Sequence, residues 1–379
     1  MRNRLINISL LFSSVIVTLI LSEIILRIIS SNQYYIWPPN LKQYFLPKPS
    51  IFPGIEDTSF FKINSVGFRG EEKSDSSLIN IVTIGGSTTE CLYLSQSETW
   101  PALLEKYLNK NNHNRYRVFN GGRSGLNSNH HLLQIKKLLE AYNWVDIIIV
   151  SEGINDLQYA LSLGNNYKKE DVQEIYNESF LISPVNDMLP LYKRSYLYMY
   201  LAKIKKSILT YRLAQDPYGF KYLRWRNNRE NASQIINSIP DLDSSLSDFK
   251  KNNESMITSA KSKNKRIIFL TQPVAWDCDM PAYQKKLCWF GWIGKNQDEN
   301  TGIYYSLPIM KKSIDKYNAS LKENCKERNV ECIDLEGVLE KDTTTFYDDC
   351  HFNENGARKA ARIISRFLNK HISVDSIRQ

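Results

Sequence analysis

Ile81-Val82-Thr83-Ile84-Gly85-Gly86-Ser87-Thr88-Thr89 is an apolar, β-branched run that stops abruptly at two glycines and a serine. Such a run predicts a buried strand feeding a tight turn. Glycine carries no Cβ, so the backbone can bend sharply there. Ser87 is then expected at the carboxyl end of a central strand, where open α/β sheets place their sites. Gly-Gly-Ser turns are common, so partners elsewhere in the chain decide whether Ser87 does chemistry.

Working outward, the same pattern repeats. Tyr116-Arg117-Val118-Phe119 reads as a second strand and empties into Asn120-Gly121-Gly122-Arg123-Ser124-Gly125. Val145 to Val150 reads as a third, apolar enough for burial on both faces, and ends in Ser151-Glu152-Gly153-Ile154-Asn155-Asp156. Helical spacing lies between them, from Ser97 to Leu108 and from Ser128 to Tyr142. A fourth strand, Arg266 to Thr271, and a fifth, Val330 to Asp334, follow later, with helices over about 308–328 and 354–370. Strands alternating with helices predict an α/β fold: a doubly wound parallel sheet of about five strands in a three-layer sandwich.

The flanks are of a different kind. Arg2 and Arg4 precede an apolar run from Leu5 to Leu21, continued less cleanly to Ile29. That is long enough to span a bilayer if Glu23 and Arg27, spaced to pair, lie near the interface. The leading positive charges place the N-terminus in the cytoplasm and the bulk of the chain outside, in a periplasmic or extracellular compartment. The competing reading is a cleaved signal peptide, but no small-x-small site follows the apolar core. Residues 1–31 are therefore expected to form a stub and membrane anchor. Residues 32–77, with Pro38, Pro39, Pro47, Pro49 and Pro53, are expected to form an extended connector, and 78–379 the globular domain. Within that domain, about 160–245 reads as a helical insertion without a clear strand. Between Tyr192 and Arg229 it carries ten basic residues against one acid, Asp216. This predicts either a surface for an anionic partner or simply solvated helix faces. Net charge is +9, yet zinc-finger spacing and an RNA-binding aromatic signature are both missing, which argues against nucleic acid.

Six cysteines allow three disulfides in a translocated domain. Close spacing suggests Cys278–Cys288 and Cys325–Cys332, and elimination leaves Cys91 with Cys350; unpaired thiols are the alternative. The loop over 276–306, bearing cysteine and tryptophan, is expected to line the site or to be stapled.

Acyl transfer by a serine needs a base, an acid to orient that base and donors for the oxyanion. Of five histidines, His130 and His131 sit on the second helix and read as surface residues, while His113 and His371 lie in polar or terminal segments. His351 follows Asp348 by three residues just before a helix. A carboxylate at that spacing can reach Nδ1 and leave Nε2 for Ser87. Asp349 is a rival orienting acid. Gly125 can offer a backbone N–H and Asn155 a side-chain amide to the same crevice. Taken singly they read as a turn glycine and a helix cap. A phosphate-binding loop at Ser87 is disfavoured, because the P-loop lysine is missing.

With these residues in view, the chain resembles the SGNH hydrolases, also called GDSL esterases or lipases. The usual Gly-Asp-Ser block is matched by Gly85-Gly86-Ser87, the second block by Asn120 to Gly125, Gly-x-Asn-Asp by Gly153 to Asp156, and Asp-x-x-His by Asp348 to His351. Gly86 departs from the family's aspartate, and the basic insertion is left unexplained. The resemblance implies Ser87 as nucleophile, His351 as base and Asp348 as its orienting acid. The oxyanion hole would be formed by Ser87, Gly125 and Asn155, with no cofactor and no metal. It implies a serine esterase; with the anchor and the Trp- and Tyr-bearing loops, the expectation is an extracytoplasmic enzyme acting on O-acyl groups, acetyl foremost, of envelope carbohydrate or lipid. An O-acyltransferase on the same scaffold and a catalytically silent polyanion- or glycan-binding protein are the alternatives.

Overall fold

The structure, a computed structural model, describes residues 2–29, 34–56, 58–72, 77–110, 115–181, 194–198, 200–201, 216–277, 279–295, 297–298 and 300–371. The chain divides into two compact units. The smaller comprises Met1–Tyr34 with Ile182–Gln215. Its main element is α1 (Arg2–Ile29), apolar and long enough to cross a membrane over Arg4–Ile28, with a mean hydropathy of 2.3. Glu23 on this helix pairs with Arg27 and also accepts hydrogen bonds from Ser195 Oγ and the Tyr196 and Leu197 amides. Of the ten basic residues in the insertion, Lys193, Lys203, Lys205, Lys206 and Arg212 lie outside the described residues.

The larger unit begins at Tyr35. Here the stretch expected as an extended connector instead supplies a hairpin, β1 (Lys42–Phe45) antiparallel to β2 (Ser59–Lys62). Ile51, Phe52, Phe61 and Phe68, among the prolines, are all buried. The sheet then begins with β3 (Ile79–Gly85), followed by the short α2 (Ser87–Glu90) and α3 (Trp100–Asn109). After these come β4 (Tyr116–Asn120), α4 (Ser128–Ala141), β5 (Ile147–Ser151), α5 (Ile154–Leu163) and α6 (Val172–Ser179). The chain resumes with α7 (Phe220–Glu230), β6 (Gln234–Ile236), α8 (Asp243–Lys261) and β7 (Arg266–Leu270). It closes with α9 (Ala282–Lys285), β8 (Trp292–Gly294), β9 (Asn300–Tyr305), α10 (Leu307–Glu327), β10 (Glu331–Ile333) and α11 (Glu354–His371).

Five strands form one parallel sheet in the order β10-β7-β5-β3-β4. Every residue of β3 and β5 is buried, which is why both read as unbroken apolar runs. Helices α3 and α11 pack together, while α4, α8 and α10 pack as a second group. The crossover order puts these groups on opposite faces and completes the three layers. Local signals fix the helix starts. Thr99 Oγ1 accepts from the Ala102 amide with Pro101 in the first turn of α3, and Asn127 forms a capping box with His130 on α4.

Three expectations need correction. The region read as purely helical contributes β6, which pairs with β9 in a second sheet of order β6-β9-β8. This pairing joins segments far apart in sequence, so local periodicity could not show it. The basic residues of α7 are largely not a surface. Arg226 is buried and donates to Leu287 O, Ile51 O and Tyr347 O, and Arg229 donates to Phe290 O and Tyr305 O, while Arg224 stays exposed and pairs with Asp298. His130 and His131 are buried rather than exposed.

The disulfide expectation fails as well. Cys91, Cys288, Cys325, Cys332 and Cys350 are free thiols, and Cys278 lies outside the described residues. Cys91 sits at the left-handed end of α2, where its thiol turns back to donate to Thr88 O at 3.3 Å. The Cys350 thiol is directed instead at the His351 ring, 3.8 Å from Nδ1.

Candidate active site

Strand β3 ends at Gly85, Gly86 continues extended, and Ser87 is the first residue of α2. The turn has little room. A Cβ on Gly85 would lie 2.6 Å from Ser151 O, and one on Gly86 would lie 2.5 Å from Asn155 Nδ2. Side chains from around the turn satisfy the carbonyls of α2: Trp100 Nε1 binds Thr88 O, Asn120 Nδ2 binds Thr89 O, and Arg69 binds both Glu90 O and Cys91 O. Ser87 therefore projects from a short, fully tethered helix.

His351 comes to Ser87 from the loop before α11. Its Nε2 lies 2.7 Å from Ser87 Oγ. Its Nδ1 lies 2.9 and 2.8 Å from the two oxygens of Asp348, whose Oδ1 also accepts the His351 and Cys350 amides. The indole N–H of Trp289 donates to Asp348 Oδ2 at 2.9 Å. Burial pushes the Asp348 carboxyl up, but the His351 charge and the hydrogen bonds from His351 and Trp289 outweigh it and hold the group below its ordinary value. Asp349 faces away: Trp276 Nε1 and the Trp289 and Phe290 amides bind it, and burial followed by the Asp348 charge raises its pKa. Tyr347 stacks parallel to the imidazole with centroids 5.4 Å apart.

Asn155 reaches the Ser87 turn from the loop after β5, and Gly125 lies in the loop after β4. Gly125 has φ +82 with open space where a side chain would stand, a backbone conformation that favours glycine. Asn155 Nδ2 donates to Leu126 O at 2.7 Å, which orients the amide and engages one of its two hydrogens. The arrangement thus offers a hydroxyl, a base, a carboxylate and amide donors around one point, the set that acyl transfer requires.

The chain matches the GDSL-like lipase/acylhydrolase family over residues 83–359. It belongs to that family. As an acylhydrolase by family, it is an ester hydrolase. Solved structures similar to it include an aryl esterase from M. smegmatis, at 10% identity and TM-score 0.42, with 78% of this chain and 100% of that one covered. An acetylxylan esterase from Geobacillus stearothermophilus shows 13% identity and TM-score 0.39, with 78% and 96% covered. No curated protein sequence matches the chain.

This acylhydrolase also has site residues that sequence reasoning missed. Glu90, at the far end of α2, is buried and accepts from both the amide and hydroxyl of Ser124, the residue before Gly125. Gly122 permits the close approach, since a Cβ there would lie 2.2 Å from the Glu90 amide. Beneath Asn155, Asp156 accepts from Ser128 Oγ at 2.5 Å and from its amide, while Glu152 meets His131 Nδ1 at 3.2 Å. Burial raises Glu152 to about 8 and, with the Glu152 charge, Asp156 to about 7; burial lowers His131 to about 3. Helical spacing on α4 was the only signal available for His131, and it did not distinguish the buried face from the exposed one.

Proposed function

We propose that the chain hydrolyses O-acyl esters, acetyl esters foremost, of envelope carbohydrate or lipid through a Ser87–His351–Asp348 triad. The 2.7 Å approach of His351 Nε2 to Ser87 Oγ carries this reading. With Nδ1–H held by Asp348, the neutral imidazole presents a lone pair at Nε2. Ser87 Oγ attacks the ester carbonyl as its proton passes to Nε2, and the carbonyl electron pair moves onto oxygen. The Ser87 and Gly125 amides and the Asn155 side chain receive that oxyanion. Collapse expels the alkoxide, which takes the proton back from His351. Water then repeats the sequence on the acyl-enzyme and releases the acid.

The carbohydrate preference is supported by aromatic rings around His351. Trp289 lies parallel to the imidazole, 6.3 Å away, and the half-buried Trp225 and Trp292 pack on Trp289 at 4.6 and 5.8 Å. Flat apolar faces with a polar edge suit sugar rings. Helix α1, with Arg2 and Arg4 at its start, supports anchoring with the catalytic unit outside the cytoplasm. The test is labelling with a fluorophosphonate. Modification of Ser87, lost in Ser87→Ala and in His351→Ala, is expected. An unlabelled Ser87 in folded protein overturns the triad and favours a silent binding protein.

A further inference from the structure

A groove of about 1180 Å³ runs along the β4 edge of the sheet, and it contains none of the residues Ser87, His351, Asp348, Gly125 or Asn155. Its walls come from β2, α3 and α11. Two acids line it, and both have partners: Glu71 lies 3.8 Å from Lys62, and Glu105 is held by Arg117 at 2.8 Å. Four lining cations, Lys106, Lys110, Arg362 and Arg366, have no acidic partner among the described residues, and all are exposed. Lys106 in the last turn of α3 and Lys110 at its C-cap are one turn apart, as are Arg362 and Arg366 on α11, so each pair is spaced by about 6 Å. The two helices pack against each other, which brings both pairs to the same groove.

We infer that this groove binds a segment of anionic polysaccharide, such as a run of uronic acid residues. A bilayer surface is too flat to enter a concave groove, whereas a linear polymer can lie along it. Tyr107 shares the lining and Arg362 covers its ring at 5.8 Å, so the groove joins an aromatic face to its charge, a combination that suits an acidic sugar polymer. Arg69 and Asn120 line the groove and also bind the carbonyls of α2, so it backs onto the helix that carries Ser87. A polymer held there keeps neighbouring acyl groups near the site. The ligand class rests on the proposed carbohydrate function, but binding itself does not require turnover.

The test uses the full chain carrying Ser87→Ala in detergent micelles, which separates binding from hydrolysis. It is titrated calorimetrically with a polygalacturonate oligomer, a neutral dextran oligomer of equal length and inorganic polyphosphate of equal charge. The uronate oligomer is expected to bind with an affinity that falls as salt rises. Dextran is expected not to bind, and polyphosphate to bind more weakly. Lys106→Ala/Lys110→Ala and Arg362→Ala/Arg366→Ala should each weaken uronate binding about tenfold. Lys106→Arg/Lys110→Arg should retain it, and in the Ser87 background all of these variants should hydrolyse 4-nitrophenyl acetate normally. Unchanged uronate affinity in both alanine pairs, or polyphosphate binding equal to uronate, overturns the inference. Uronate binding lost on the alanine pairs in a protein that fails to hydrolyse esters sustains the groove and breaks the proposed function instead.

Discussion

Gly125 and Asn155 sit in loops that follow adjoining βα units and are tied to one another's loops, whereas the His351–Asp348 loop is also held by Trp289, from a segment outside those units. On the side proposed for the oxyanion, Asn155 bonds Leu126 O and Asp156 bonds Ser128, linking the loops after β5 and β4, and Glu90 bonds Ser124, linking the loops after β3 and β4. On the acid–base side, Trp289 holds Asp348, and Arg226 holds Tyr347 O together with Ile51 O and Leu287 O. A side chain supplied by its own turn can be read from a short motif. One supplied by a distant loop cannot, because its only trace in sequence is an isolated tryptophan or arginine.

The sharpest way to break this contrast is to exchange the two adjacent acids of the His351 loop. Asp348→Asn keeps the shape but loses the carboxylate that fixes the imidazole tautomer, so kcat should fall roughly 10⁴-fold. Asp349→Asn disturbs only the bonds to Trp276 and the Trp289 and Phe290 amides. It should cost about 1–3 kcal/mol of stability, with kcat nearly intact. If Asp349→Asn shows the larger kcat loss, the assignment of the orienting acid is reversed. Next in size, Asn155→Ala should lower kcat about 10²–10³-fold, roughly 3–4 kcal/mol of barrier, without lowering Tm. Wild-type turnover there would remove Asn155 from the oxyanion side.

A smaller effect probes the long-range support. Trp289→Phe keeps an aromatic face beside His351 and removes only the N–H that reaches Asp348. The loss of one buried bond to a charged group, about 1.5–3 kcal/mol, should appear as a fall in kcat with KM little changed. If Tm falls while kcat is untouched, Trp289 packs the loop but does not position Asp348.

Much of the fold was legible because β3 and β5 are buried on both faces and must be apolar throughout. Gly125 was legible as a turn glycine and stands at positive φ, whereas the close approach of Gly122 to the Glu90 backbone had no sign in the sequence. Phe52 and Phe61 were hidden among prolines that suggested an extended segment, although their rings pack in the core. Arg226 and Arg229 were hidden by their type. A basic residue ordinarily signals solvent, yet a guanidinium has donors enough to bind several buried carbonyls at once. Spacing alone suggested the disulfides, but spacing says nothing about where a thiol points. Cys91 faces Thr88 O, so Cys91→Ser should leave fluorophosphonate reactivity at Ser87 as it is.

The smallest effect expected concerns the buried pair beneath Asn155. Above about pH 4.5 an unfolded chain sheds the Glu152 proton, while the folded chain keeps it to about 8. The native state then binds more protons across that interval, so this group makes stability fall as pH rises. Asp156, raised from 3.8 to about 7, acts in the same direction. His131 opposes them, because its lowered pKa favours the folded state increasingly from about 3 up to 6.5, and above that it contributes no further slope. Between pH 6.5 and 8 the carboxyls act without that opposition. Wild-type Tm should decline across this interval more steeply than that of Glu152→Gln, which holds no titrating proton there and retains an amide of the same shape. Turnover should change little, since Glu152 supports the loop from below and touches neither Ser87 nor Asn155 among the described bonds. Parallel Tm profiles for the two proteins would mean that Glu152 is ionised in the fold, with His131 charged beside it, and that the oxyanion side stands on an ion pair instead of a neutral one.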